Sequence, residues 1–355
     1  MRILLLGEFS GFYTNLKDGL EDIGHEVCLA SFSDGYKKIT STDISFDAKL
    51  PGVIGKIENR IRPLIFLPWF KDFDVVQLIN PFVFDFPGFP LNFFLKQIKK
   101  QNKKFFLSAC GADAFYFQRL GQFLEYTPIP DMLKYDFQSK ECKFMSEKSL
   151  NFNKKIADQV DGIIPICYDH KLGYQNQANL KDIIPLPINS KKISFKANLV
   201  GSKLVVFHGL TRYGLKGTRF IEEAFKILNK KYPDKIETII EGNLPLEEYL
   251  KVISRANIIV DQANSYSYGM NALYSMAQGK IVMTGLESES LSAFGLSSAP
   301  VINIKPCVEN IVMEIEKILQ DLSLVEKIGK ETRDFVIKHH DHKKIAEKYV
   351  ETWRS

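Results

Sequence analysis

Two cations in one glycine-containing loop are the residues whose spacing most suggests chemistry. In FHGLTRYGLKGTRFIEEAF (207–225) a strand-like run ends at His208. Gly209, Gly214 and Gly217 follow, a helix-like run begins, and Arg212 and Lys216 lie between. A loop that enters a helix offers free backbone N–H groups, and the helix dipole favours an anion there. Arg can clamp phosphate oxygens with a two-pronged fork, and Lys adds a point charge. The chemistry would be the binding of a diphosphate. The spacing is equally compatible with two solvated loop cations, and GxxxxGK[ST] is absent, so this is not a Walker A loop.

A second constellation is DQANSYSYGMNALYSMAQGKIVMTG (261–285). Its loop is rich in Ser, Asn, Tyr and Gly and opens a helix near Gly269, where small residues permit close approach of backbone to a ligand. Ala272, Leu273, Met276 and Ala277 read as the face that packs that helix on a sheet. His208, at a strand end beside the basic loop, is a site candidate. His25 reads as structural. His339, His340 and His342 form HHDH, which reads as a solvated helix end with no distant ligand cluster to complete a metal site.

These residues need elements to position them. RILLL (2–6) is a continuous apolar run of the kind a buried parallel strand shows. A helix-like stretch and HEVCLASF follow it, making a β-α-β unit. Further strands are expected at 74–79, 103–109 and 162–167. Residues 116–160 are less regular; their later part reads as a helix leading into the strand at 162, and their earlier part as a lid or the cover of a groove. IIPLPINSKKISFKANLVGS (183–202), with Pro185 and Pro187, reads as a linker. A regular β-α-β-α-β-α-β series then runs from 203 to 285, followed by helices to the end. The pattern predicts two α/β halves, each a doubly wound parallel sheet. Ligands of such sheets bind outside the carboxyl ends of the strands, so two facing edges would enclose a cleft.

Composition agrees with a globular chain. The 355 residues suit about two domains at ~150 residues each. Apolar residues make up 45% and charged residues 25%, which excludes a disordered chain. Lys and Arg total 47 against 42 Asp and Glu, a net charge of +5. That is too mild to indicate a nucleic-acid partner. No apolar run approaches the ~20 residues of a membrane span, and MRILLLGEF does not read as a signal peptide. Five scattered cysteines without metal spacing suit a reducing cytoplasm.

The segments KGTRFIEEAFKIL, IIEGNLPLEEYLKVISRANIIVDQ and YSYGMNALYSMAQGKIVMTG carry a resemblance. Over about residues 200–290 the chain resembles the donor-binding domain of GT-B glycosyltransferases. More closely, it resembles the retaining group one (family four) enzymes of bacterial polysaccharide synthesis. Over the N-terminal half the likeness is generic: the opening strand, the turn GEFSG, GHEV (24–27), CGADAF, IADQVDGIIPICYDH and IPLPIN.

The resemblance implies two Rossmann-like domains facing across a cleft: 1–190 on the acceptor side and 200–342 on the donor side. Residues 343–355 would cross back onto the first domain, and a hinge is expected at about 186–200. It implies a nucleotide-diphosphate sugar as donor substrate, no metal or other cofactor, and a glycan or lipid-linked acceptor. Arg212 and Lys216 would hold the diphosphate, and Glu241 and Gly242 would lie near the nucleobase. The turn Tyr268–Gly269–Met270 would set amides against the phosphate or sugar. Asp113 in CGADAF would lie near the reacting sugar, although capping the next helix accounts for it equally. The family's Glu-x7-Glu pair falls on Tyr266 and Tyr274, so both carboxylates are replaced. A phenol cannot accept two hydrogen bonds from a vicinal diol as a carboxylate can.

Two rivals follow: a non-catalytic nucleotide- or glycan-binding protein of the same fold, which the tyrosines favour, and a sugar-nucleotide epimerase, which would need a carboxylate or His set at the sugar. KIENRIRPLIFLPWFK (56–71) mixes cations with large apolar residues. It reads either as contact with an anionic membrane surface, giving a cytoplasmic, peripheral protein, or as a core segment after a basic turn.

Overall fold

The structure is a computed structural model that describes residues 1–33, 42–137, 142–242 and 246–355. Among these, two parallel sheets carry the chain. The first contains β1 (Arg2–Leu6), β2 (Glu26–Ser31), β3 (Ile44–Ser45), β4 (Val75–Leu78), β5 (Lys104–Ala109) and β6 (Gly162–Pro165). Their spatial order is β3-β2-β1-β4-β5-β6. The second contains β7 (Leu204–Leu210), β8 (Ile236–Gly242), β9 (Ile258–Val260), β10 (Ile281–Thr284) and β11 (Ile302–Asn303), in the order β11-β10-β9-β7-β8. Strand order reverses between β1 and β4 in one sheet and between β7 and β9 in the other. Those are the switch points beside which ligands of doubly wound sheets bind.

The continuous apolar runs follow from burial on both faces. Along β1, Ile3 and Leu5 join one core cluster, and Leu4 and Leu6 join another. Along β9, Ile259 faces one way while Ile258 and Val260 face the other. Period-two geometry thus turns an unbroken apolar strand into two hydrophobic faces. Helix Thr218–Lys231 shows the complementary helical spacing, burying Thr218, Ile221, Ala224, Phe225 and Leu228.

One core cluster runs without a break from Ile3 and Leu5, through Ile184, Leu186 and Ile188, to Phe207, Ile259 and Val282. The proline-containing link between the sheets is therefore packed. The Ile188 amide donates to the His340 carbonyl at 2.7 Å. Helix His342–Arg354 returns to the first sheet, where it packs on helix Phe12–Asp22. Its Trp353 Nε1 donates to Gln77 Oε1 of β4 at 2.8 Å.

The HHDH run is a correction to the sequence reading. His340 and His342 are buried, not solvated. The Leu186 carbonyl can only accept, so His340 Nδ1 carries the proton it donates (2.8 Å). Nε2 then accepts from Tyr268 Oη (2.9 Å). Burial pushes this ring's pKa down to about 4. Among the described residues no group of His, Cys, Asp and Glu could hold a metal, and no helix is long and apolar enough to cross a membrane.

Candidate functional site

The basic loop leaves β7 at Leu210, at the carboxyl edge of the second sheet. Thr211 and Arg212 are exposed, Tyr213–Lys216 makes one helical turn, and Gly217 at φ +68° swings the chain into helix Thr218–Lys231. The loop walls an open cleft of about 490 Å³. Leu210, Arg212 and Tyr213 line it from the second domain, and Ala112, Tyr135, Asp136 and Phe144 from the first. Glu241 and Gly242 end the neighbouring strand β8, paired beside Gly209 and Leu210 at the same sheet edge. The loop after them, 243–245, lies outside the described residues.

Arg212 and Lys216 share the loop but not the environment. Arg212 faces the cleft. Lys216 is 6% exposed, and its Nζ donates to Asp261 Oδ1 at 2.8 Å. Asn271 Nδ2 donates to the same oxygen at 2.7 Å. Burial by itself would raise the Asp261 pKa. The Lys216 charge, with the bonds from Lys216 and Asn271, outweighs it and holds the carboxyl below its ordinary range.

Two of the candidate site residues, His208 and Asp113, lie inside packed protein. His208 is fully buried. Its Nδ1 donates to the Val260 carbonyl at 2.7 Å, and Nε2 accepts from Thr218 Oγ1 at 2.9 Å. Burial, reinforced by the Lys216 charge, pushes its pKa down to about 4. The ring ties strand to helix and presents no nitrogen to the cleft. Asp113 is fully buried as well and caps helix Ala114–Arg119. Its Oδ1 accepts from the Tyr116 amide at 2.8 Å and its Oδ2 from Tyr174 Oη at 2.6 Å. Burial raises its pKa. Burial thus withdraws from the cleft both Asp113, expected near the reacting sugar, and His208, expected as a site residue beside the basic loop.

The 261–274 segment, by contrast, is drawn to the first domain. Asp169, just after β6, accepts from Ser265 Oγ (2.8 Å), Ser267 Oγ (3.0 Å) and the Tyr266 amide (3.3 Å). Tyr266 Oη accepts from the Glu125 amide at 3.2 Å, and its ring lies 4.7 Å from that of Tyr126. Tyr268 is buried on Phe294 and His340, and Met270 belongs to the core. Gly269 caps helix Met270–Ala277, with open space where a side chain would begin. Tyr274 Oη accepts from Asn15 Nδ2 of the first domain at 2.8 Å. Gly11, at φ +82°, passes so close that a Cβ there would fall 2.3 Å from the same hydroxyl.

Three carboxylates that the sequence reading missed complete the site. The Asp136 carboxylate accepts from the Gly214 and Leu215 amides of the basic loop. Asp131 Oδ2 accepts from Arg219 Nε (2.9 Å) and Asn264 Nδ2 (3.1 Å). Asp169 forms the triple contact above, and its burial raises its pKa. Only Asp169 carried a usable signal, its place just past the carboxyl end of a parallel strand. The arrangement thus sets the Arg212 guanidinium in the cleft lining, while the loop amides of Gly214 and Leu215 are taken by Asp136.

No protein-family model matches the sequence, and neither does any curated protein. Solved structures do match over nearly the whole length. Sucrose-phosphate synthase from Thermosynechococcus elongatus has a TM-score of 0.63 at 16% identity, covering 100% of this chain and 98% of that one. HepE from Anabaena, in complex with UDP and glucose, has a TM-score of 0.62 at 11% identity, with 99% of each chain covered. The fold is GT-B. UDP-GlcNAc 2-epimerase from Neisseria meningitidis, bound to UDP-GlcNAc, shares it at a TM-score of 0.52 and 11% identity, again with 99% of each chain covered. The GT-B architecture by itself therefore does not choose between transfer and epimerisation.

Proposed function

We propose that this GT-B protein is a glycosyltransferase that takes a sugar from a nucleotide-diphosphate donor. The observation that carries the reading is Arg212, exposed in the inter-domain cleft at the carboxyl end of β7, beside the switch point of the second sheet. A diphosphate leaving group there would meet a guanidinium fork in the cleft between the two domains. Stabilising the charge that develops as the sugar departs would be the main catalytic contribution. Lys216 acts one step back in this reading: it neutralises Asp261, which in turn holds Asn271 on the helix after the Gly269 turn. In this reading no metal is required, because Arg212 would offset the departing charge. The sequence resemblance supports a retaining, hexosyl-transferring enzyme with a glycan or lipid-linked acceptor in surface polysaccharide synthesis.

Two observations weigh between the rivals. An epimerase would need an acid–base group at the sugar, and Asp113 and His208 are both turned inward. The non-catalytic reading keeps one specific support: the tyrosines at the Glu positions spend their hydroxyls on the opposite domain, on Glu125 and Asn15. Calorimetric titration with UDP, GDP and ADP, followed by incubation with the matching hexose nucleotides, tests the proposal. Binding of one diphosphate together with acceptor-dependent release of it supports transfer. Binding without release from any donor favours the non-catalytic protein, and no binding of any of the three removes the donor site.

A further inference from the structure

The helix Gly52–Phe66 has two apolar faces, and only one is used. Gly55 and Pro63 are buried, while Leu64 and Phe66 pack against the core of the first domain. The opposite face carries Val53 (73% exposed), Ile57, Ile61 and Ile65 at four-residue spacing, extended by Ile54 and by Trp69 (62% exposed) just past the helix. A surface helix ordinarily turns such a stripe inward. Here the apolar ridge from Val53 to Ile65 runs along about 18 Å of helix at 1.5 Å per residue.

We propose that this ridge docks on an anionic lipid bilayer, lying in the plane of its surface. Charge decides the occupant. Lys49, Lys56, Arg60 and Lys71 are exposed along residues 49–72, against one exposed acid, Asp72. The helix's own acid, Glu58, is turned inward, where it accepts from Arg62 Nη1 and from the Lys49 and Leu50 amides. The ridge thus shows lipid an apolar edge flanked by cations whose long stems can reach the headgroups. Lysine supplies three of those four cations, and protein–protein interfaces are depleted in lysine. An exposed tryptophan at the end of the ridge suits the boundary between acyl chains and headgroups. The inference goes beyond the transferase reading and does not depend on it.

Sedimentation with vesicles tests it, using phosphatidylcholine with about one-third phosphatidylglycerol against phosphatidylcholine alone. The full chain is expected to pellet with the anionic vesicles and to be released several-fold at high salt. Trp69 emission is expected to shift to the blue on binding; the other tryptophan, Trp353, is 1% exposed and contributes a constant background. Ile57→Ser with Ile61→Ser should reduce binding more than tenfold, and Lys56→Glu with Arg60→Glu should abolish the preference for anionic lipid. Both doubles are at exposed positions and should keep the wild-type circular dichroism and melting temperature. No pelleting at low salt overturns the proposal, as does pelleting without a Trp69 shift. A concentration-dependent dimer that the Ile57→Ser, Ile61→Ser pair dissolves would also overturn it and assign the ridge to a second copy of the chain.

Discussion

Asp136, on the first domain, holds its carboxylate on the backbone amide of Gly214 at 2.7 Å, with the Leu215 amide at 2.8 Å on its other oxygen. A negative group from one domain therefore sits on the loop proposed to receive the negative groups of a donor. Asp136 also lines the cleft with Arg212. Replacing it by Asn preserves the shape and removes the charge, and it leaves one of the two loop amides without its acceptor. Asp136→Asn is expected to tighten nucleoside-diphosphate binding roughly three- to tenfold, because a like charge near the phosphates is lost. Calorimetry at low salt reads the change. Weaker binding would instead show that the carboxylate braces the loop for the donor.

The two cations of the basic loop are expected to separate cleanly. Arg212→Ala should cost about 1.5–3 kcal/mol of diphosphate affinity, the worth of charged hydrogen bonds, and leave the urea midpoint unchanged. Lys216→Ala should act mainly on stability. It leaves Asp261 buried without its cation, a loss of about 3–5 kcal/mol. Because the Asp261 carboxyl is held below its ordinary range, the pair stabilises the fold throughout neutral pH and fails only as the pH drops below about 4. Equal losses of affinity with no loss of stability in either variant would contradict this division.

What the sequence made legible is what local pattern encodes. The apolar runs of β1, β7 and β9 and the helical spacing of 218–231 prescribe two covered parallel sheets, and Arg212 is findable because glycine and charge mark its loop. Long-range pairing is not marked in this way. Asp136 lies 78 residues from Gly214, in an irregular stretch where an aspartate reads as a solvated turn. His208 misleads for the converse reason. Its position at a strand end suggests a ligand site, yet Thr218, ten residues on, takes its outer nitrogen into the core.

Acid should weaken the fold through the buried rings. The pKa values of His208 and His340 are pushed down to about 4 by burial, while an unfolded histidine titrates near 6.5. Below pH 6.5 the unfolded chain takes up protons that these folded rings refuse. Stability is therefore intact above that pH and declines until the folded rings titrate near 4, by about 2 kcal/mol per ring between pH 7 and 5. Asp113 and Asp169, raised by burial, act in the opposite direction, since on acidification their folded forms take up a proton at a higher pH than the unfolded chain does. A difference measurement isolates the ring: His340→Gln should be less stable at pH 7 but lose about 2 kcal/mol less than wild type on going to pH 5. Parallel urea-derived profiles for the two proteins would refute the assignment.

Tyr274 decides between a working, altered donor pocket and a vacated one. Its hydroxyl takes the Asn15 amide bond across the domain interface, and Gly11 is shaped to let it pass. Tyr274→Phe keeps the ring and removes the bond. It should cost about 0.5–1.5 kcal/mol of stability and change nucleotide affinity less than twofold, provided the hydroxyl serves closure alone. Tyr274→Glu is the sharper test. It deletes the bridge to Asn15 and leaves a shorter, charged side chain in place of the ring. On the transferase reading this domain contact is part of the closed, competent state, so Tyr274→Glu should weaken diphosphate binding several-fold and lower turnover further than Tyr274→Phe does. If the phenol instead fills a space where a ribose would otherwise sit, a carboxylate there regains two acceptors for the vicinal diol, and affinity should rise. Titrating the two variants side by side separates these cases, and tighter binding by Tyr274→Glu would move the reading to the non-catalytic protein.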